Sequence, residues 1–376
     1  MKFSFSSEQD EFRTNLRRFL TDRSPTKEVR RLMETDAGWD RDAWRAMNQE
    51  LGLTAVRIPE EYGGHGFGFG ELCIVLEEMG RACMCAPYFA TTVLAAGAIL
   101  NAGTDAQKQA LLPGIAAGDT IATLASAEDN GRWDGASTTL TATPSGSGYT
   151  LNGHKSFVID GHTADLIVVL ARAPGSSGDS GLSFFTVSGD AAGLTRSVLN
   201  TMDPTRKMAR LTFDGVEATL LGEAGGAAEP FARTMTEAVV CLSNEMVGGA
   251  ARLREDSTAY AVMRVQFGRS IASFQSMKHK LADMLLEVEL AKSTAYFAAA
   301  ALDDGDADAA ASASLTKALA SDTYMQTAVH AVQIHGGIGF TWDNDTHLWF
   351  KRAKSSEVLF GDAHLHRELM MRNWAA

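Results

Sequence analysis

Arg264-Val265-Gln266-Phe267-Gly268-Arg269-Ser270-Ile271-Ala272-Ser273-Phe274-Gln275 lies between two helical stretches, with Gly268 breaking the first. The helix that leaves it is marked by Phe274, Met277, Leu281, Met284, Val288, Ala291 and Ala295. These recur at alternating spacings of three and four, so they line one apolar stripe that faces a partner helix. The turn offers an arginine, two amides and an aromatic ring. An arginine forks onto a phosphate, and a helix start presents free N–H groups to an anion. A second such turn lies at Gln333-Ile334-His335-Gly336-Gly337-Ile338-Gly339-Phe340. Either turn alone also fits an ordinary interhelical connection.

With 376 residues the chain is too long for one small core and suits two or three packed regions. Its formal charge of −12, with no basic run, argues against a nucleic-acid face. Cys73, Cys83, Cys85 and Cys241 form no CxxC pair and no Cys/His metal spacing. They read as reduced, mostly buried thiols of a cytoplasmic protein without a metal. The N-terminus leads directly into a polar helix, so no signal peptide is expected. No apolar run reaches the ~18 residues needed to span a membrane.

Outward from the turn, residues 1 to about 118 read as helical. Ser6 or Ser7 caps a first helix, and residues 41–51 form another that stops at Gly52. The Gly-rich run 63–70 is a turn before a helix at 71–80, because no strand precedes it and no Lys-Ser/Thr follows. Helices follow at 87–100 and 105–117. From about Thr120 to Leu221 the composition shifts to Thr, Val, Ser and Gly. Asn152-Gly153 predicts a tight hairpin turn within 149–159, and strands are expected at 166–170, 182–187 and 208–213. Beyond Glu229 helices return, at about 229–264, 270–302, 307–335, 343–358 and 362–374. Asp303-Asp304-Gly305-Asp306-Ala307-Asp308 lacks the glycine and glutamate of a calcium loop and reads as a helix hairpin.

A helical region (1–119), a β region (120–222) and a helical bundle (223–376), with Pro59-Glu60-Glu61-Tyr62-Gly63-Gly64 and the two turns, resemble the acyl-CoA dehydrogenase family over the whole chain. The resemblance implies a mainly α fold with a small, barrel-like central β domain and a C-terminal four-helix bundle. It implies FAD as cofactor, a CoA thioester as substrate and an acceptor of the electron-transfer flavoprotein kind. It also implies a dimer of dimers, homomeric or heteromeric, in which the two turns hold the FAD of a neighbouring subunit. The acidic net charge does not oppose CoA, whose phosphates need only local Arg and Lys.

The family reaction removes an α-proton to a carboxylate and a β-hydride to the flavin, with two hydrogen bonds to the thioester oxygen acidifying the α-proton. By resemblance, Arg264 and Gln266 bind the pyrophosphate, Phe267 packs beside the flavin and Gln275 meets the adenosine half. Gln333, Gly336 and Gly337 approach the other end of the dinucleotide. Three departures stand against this. Where the family carries a Thr-Glu-Pro-Gly-x-Gly-Ser-Asp loop, this chain reads Ala127-Glu128-Asp129-Asn130-Gly131-Arg132-Trp133-Asp134. The flavin-side Trp-x-Thr is Phe157-Val158-Ile159. The base position is Phe360, and the alternative family position for the glutamate is Ala238. Nearby carboxylates are Glu237, Glu245 and Asp362, with Glu245 and Asp362 the candidates for an atypical base. Their plainer readings are a solvated Glu237, a paired buried Glu245 and an N-cap at Asp362.

The asymmetry favours a subunit of a heteromeric acyl-CoA dehydrogenase that lends its turns to FAD held by a base-carrying chain. Residues 128–134, 157–163 and 359–362 are similar to the base-lacking subunits of actinobacterial steroid side-chain degradation, which implies a bulky CoA thioester. A self-sufficient dehydrogenase with an atypical base, a flavin-dependent monooxygenase on the same fold, and a structural subunit with relic turns are the alternatives.

Overall fold

Ser6 opens the first helix by a reciprocal cap: Gln9 N–H donates to the Ser6 hydroxyl, and Ser6 N–H to the Gln9 side chain. The computed structural model describes residues 5–146 and 148–374. It forms two compact units, one comprising Met1–Arg31, Phe69–Met84 and Val239–Ala376, the other Leu32–Gly68 and Cys85–Ala238.

The helices that precede the sheet are α1 (Ser7–Arg23), α2 (Thr26–Met33), α3 (Arg41–Leu51), α4 (Phe69–Ala82), α5 (Ala96–Ala102) and α6 (Asp105–Ala116). Asp40 caps α3, and Gly52 at φ 59° stops it, as its sequence predicts. The short, proline-led α2 carries too little periodicity to be read in advance. Residues 63–66 fold back on the preceding segment, and a Cβ on Gly64 would lie 1.8 Å from the Ile58 carbonyl oxygen. Close approach, not phosphate binding, explains that glycine.

Between them and the bundle lie β1 (Ala122–Ala125), β2 (Thr141–Ser145), β3 (Gly148–Ile159), β4 (Leu166–Arg172), β5 (Leu182–Ser188), β6 (Leu194–Val198) and β7 (Met208–Leu221). The pairings β4–β2, β2–β3, β3–β7, β7–β5 and β5–β4 return to their start, so the sheet closes into a barrel. Leu151, Ile167, Val169, Phe185, Leu211 and Phe213 belong to its core. One expectation fails here. Asn152-Gly153 is not a turn but lies inside β3, where the register shifts against β7 between Leu151 and Asn152. The Asn152 side chain accepts from Gly215 N–H at 2.9 Å, and Gly153 sits at φ 131°. Pairing on both sides of a long strand overrides the local turn preference, and the bulge absorbs the Asn-Gly pair. β7 likewise runs eight residues past the expected end at Phe213.

The chain then enters α7 (Ala228–Met263), the hairpin β8 (Val265–Gln266) and β9 (Arg269–Ser270), α8 (Gln275–Asp303), α9 (Ala309–His335), α10 (Thr346–Val358) and α11 (Ala363–Trp374). Met284, Val288, Ala291 and Ala295 of the expected stripe are buried on α8. The 303–308 segment is the α8–α9 connection, as read. Among the described residues no helix is long and apolar enough to cross a membrane, and no group of His, Cys, Asp or Glu could hold a metal ion.

Candidate functional site

The first turn is sharper than an interhelical loop. Val265 pairs with Ser270 and Gln266 with Arg269. Phe267 at φ 55° and Gly268 at φ 76° make the two-residue link, both left-handed as a primed hairpin turn requires. A phenylalanine tolerates that region poorly, yet its ring is 92% exposed and receives no compensating burial. Val262, Met263, Ile338, Phe340 and Trp342 are exposed with it. Exposed apolar residues of this number around one turn are the kind of surface that a ligand or another protein covers.

The two turns lie side by side. Ala261, Met284 and Ile334 share a small core against which Tyr260, Ile271 and Met277 pack. The Tyr260 ring stacks on His335 at 4.3 Å, and its hydroxyl donates to the His335 carbonyl oxygen at 3.4 Å. Arg264, Gln266, Phe267, Gln275, Gln333, Gly336 and Gly337 are all exposed. Arg264 makes no ion pair among the described residues. Phe274 precedes α8 without a side-chain cap, so the first N–H groups of that helix stay available to an anion. Gly337 has no positive φ, and nothing lies within 4 Å of a Cβ built on it. Nothing among the described residues demands glycine there, and the open space leaves room for a group to approach the backbone from outside. These residues therefore fit a phosphate-bearing, hydroxyl-bearing cofactor such as FAD.

The base position is different. Phe360 is 6% exposed at φ 61°, and Gly361 follows at φ 106°. Two residues that sequence reasoning passed over fix this turn. The buried Lys317 ammonium donates to the Gly361 carbonyl at 2.9 Å, the Glu357 carbonyl at 3.0 Å and Ser321 Oγ at 3.0 Å. His366 Nε2 donates to the Phe360 carbonyl at 3.1 Å. Burial pushes the Lys317 pKa down to about 7 and the His366 pKa down to about 4.

Each nearby carboxylate is engaged. Glu245, 5% exposed, accepts from Arg352 Nη1 at 2.8 Å, itself buried. Asp362 accepts from Leu365 N–H at 2.9 Å and caps α11. Glu237 is not solvated, as its sequence neighbourhood suggests, but buried. It accepts from Arg57 at 3.0 Å and Asn101 at 3.1 Å, because a carboxylate facing into the packed unit must bring its donors with it. Ala238, the alternative base position, is fully buried.

In the β unit the altered loop satisfies itself. Glu128 accepts from Thr139 and Leu140 N–H at 2.9 Å each and from the Lys155 ammonium at 2.9 Å. Asp129 gathers Ser156 Oγ at 2.5 Å, Arg210 Nη1 at 2.6 Å and His154 Nε2 at 3.0 Å. The Ser156 hydroxyl and the Arg210 guanidinium hold its carboxyl below the usual range. Arg132 pairs with Asp134 at 2.8 Å, and Trp133 lies 6.5 Å from the Phe157 ring, which is half-buried at φ 58°. Ile159 is 2% exposed.

Residues 6–119, 123–216 and 231–375 match, in order, the N-terminal, middle and C-terminal domains of acyl-CoA dehydrogenases. The acyl-CoA dehydrogenase IpdE2 of Mycolicibacterium smegmatis is 30% identical over 356 residues, 95% of either chain. The chain belongs to the acyl-CoA dehydrogenase family. Its members are FAD-dependent flavoproteins, and this is one. A variant of the Tcur3481–Tcur3483 steroid ACAD superposes with a TM-score of 0.86 at 31% identity, covering 98% of each chain. The ChsE4–ChsE5 complex from Mycobacterium tuberculosis gives a TM-score of 0.90 at 26% identity, covering 100% of this chain and 99% of that one.

Proposed function

We propose that this acyl-CoA dehydrogenase chain works as the base-lacking subunit of a heteromeric enzyme that introduces an α,β double bond into a bulky, steroid-type CoA thioester. The observation that carries the reading is Phe360, a buried phenyl ring on a pinned turn where the reaction needs a carboxylate. Glu245, the first alternative, is spent on Arg352, and Asp362, the second, on the start of α11. The relatives whose names refer to a steroid ACAD and to a two-chain complex support the same reading.

In this account Arg264, Gln266, the Phe267 ring and Gln275 cover FAD seated in a base-carrying partner chain, with Gln333, Gly336 and Gly337 at its other end. The arginine neutralises phosphate charge, the amides meet hydroxyl and carbonyl groups, and the apolar cluster excludes water from the flavin edge. When bound, FAD would supply the acceptor for the β-hydride, with an electron-transfer flavoprotein-like protein as the implied onward acceptor. The partner supplies the carboxylate. Acyl-CoA-dependent α-proton exchange tests this directly. The purified chain alone should show none, and its complex with the base-carrying chain should show it. Exchange by this chain alone, lost in Glu245→Gln or Asp362→Asn, would replace the proposal with a self-sufficient enzyme.

A further inference from the structure

We infer that Lys280 is a positioning residue for Gln333: it fixes the Gln333 amide with its oxygen turned inward, so that the NH2 group is what this chain offers to the cofactor. The inference rests on the far-side role proposed above for the second turn. Lys280 Nζ donates to Gln333 Oε1, joining α8 to the last turn of α9. An ammonium has donors only, so the amide atom facing it must be the oxygen. The NH2 group then points away from Lys280, on an exposed side chain. The atom it meets must therefore be an acceptor, an oxygen of a phosphate, hydroxyl or carbonyl. Without Lys280 the amide is free to present either end.

His330 Nδ1 lies 3.5 Å from Lys280 Nζ, and the Gln326 amide nitrogen lies 3.1 Å from His330 Nε2. A neutral imidazole has one acceptor nitrogen and takes only one of these bonds, so the Gln333 oxygen is the close acceptor for Lys280. The backbone of the turn has its own support, since Tyr260 stacks on His335 and donates to its carbonyl. Lys280 is not needed to hold the turn in place, so its effect falls on the amide.

The experiment is a double-mutant cycle on FAD retention in the flavin-loaded assembly purified through this chain, using free FAD as the probe. Lys280→Met should weaken FAD binding by roughly five- to tenfold, the scale of one oriented hydrogen bond. Gln333→Leu should weaken it comparably, and adding Lys280→Met to Gln333→Leu should change nothing further. Lys280→Arg, which still donates, should restore binding. Gln333→Glu should lose it although its pair with Lys280 is stronger, because it has no donor to offer. Should Lys280→Met fail to melt cooperatively, Lys280→Ala serves instead. It has no donor, so weaker FAD binding that appears only where Gln333 is intact supports orientation by a hydrogen bond, and unchanged binding overturns it. An equal loss from Lys280→Met in wild-type and Gln333→Leu backgrounds would mean that Lys280 acts by its own charge, and no loss at all would mean that it does not act; either overturns the inference. Arg264→Ala is the separating control. If it leaves FAD binding intact, the far-side role itself fails. If it weakens binding while the Lys280 variants do not, only the positioning assignment fails.

Discussion

At Glu245 the carboxylate and the Arg352 guanidinium are both buried and 2.8 Å apart. Removing one charge strands the other, which costs about 3–5 kcal/mol. Glu245→Ala should therefore lower the denaturant midpoint severely, and Glu245→Gln somewhat less. Activity of the assembled enzyme, measured on the fraction that folds, should stay unchanged if Glu245 is no base. His366 makes a second prediction. Its pKa falls from the ordinary 6.5 to about 4, chiefly through burial and then through the Lys317 charge. The unfolded chain takes up this proton from about pH 6.5 downward and the folded chain does not until about pH 4. Stability is thus lost as pH falls through that window, by about 3 kcal/mol in all. Denaturant midpoints across pH 4–7 should show the slope, and His366→Asn should flatten it. None of these partners was legible in the sequence, because Glu245 and Arg352 are 107 residues apart and Lys280 and Gln333 are 53. A buried carboxylate on an apolar helix face signals that a cation must exist, not which one.

The hairpin β8–β9 is a short element whose stability within this chain is small. Phe267 is 92% exposed, so Phe267→Ala should leave the melting of the isolated chain within about 0.5 kcal/mol of wild type. The same change should loosen the assembly, read as faster FAD loss on dilution. A change in isolated-chain stability without any change in FAD retention would assign the ring a local packing role. The helices were legible because period and caps act locally: Ser6 at the start of α1, Gly52 at the end of α3 and the apolar stripe of α8 follow from residue type alone. The strands were less so. β1 and β6 have four and five residues, too few for a clear alternation, and the barrel closes through pairings of high sequence separation. Asn152-Gly153 misled for the same reason, since its turn preference is local and the β3–β7 ladder is not.

The two turns could be read as a matched pair only through family resemblance, since the intervening residues 276–332 give no local sign of their proximity; the shared core of Ala261, Met284 and Ile334 places them together. The exposed apolar residues around them, the glycine at 337 with open space before it, and the buried ring at Phe360 are the features on which the proposed heteromeric role rests. Sequence gave their identities by motif, but exposure, pinning and the engaged state of each spare carboxylate required the structure. The most direct test of the central claim is the FAD content per chain, read from the visible spectrum and protein mass of the purified assembly. A colourless chain is expected when it is purified alone, and half-stoichiometric FAD when it is coexpressed with a base-carrying acyl-CoA dehydrogenase chain. A homo-oligomer of this chain carrying one FAD per subunit and oxidising an acyl-CoA unaided would contradict it.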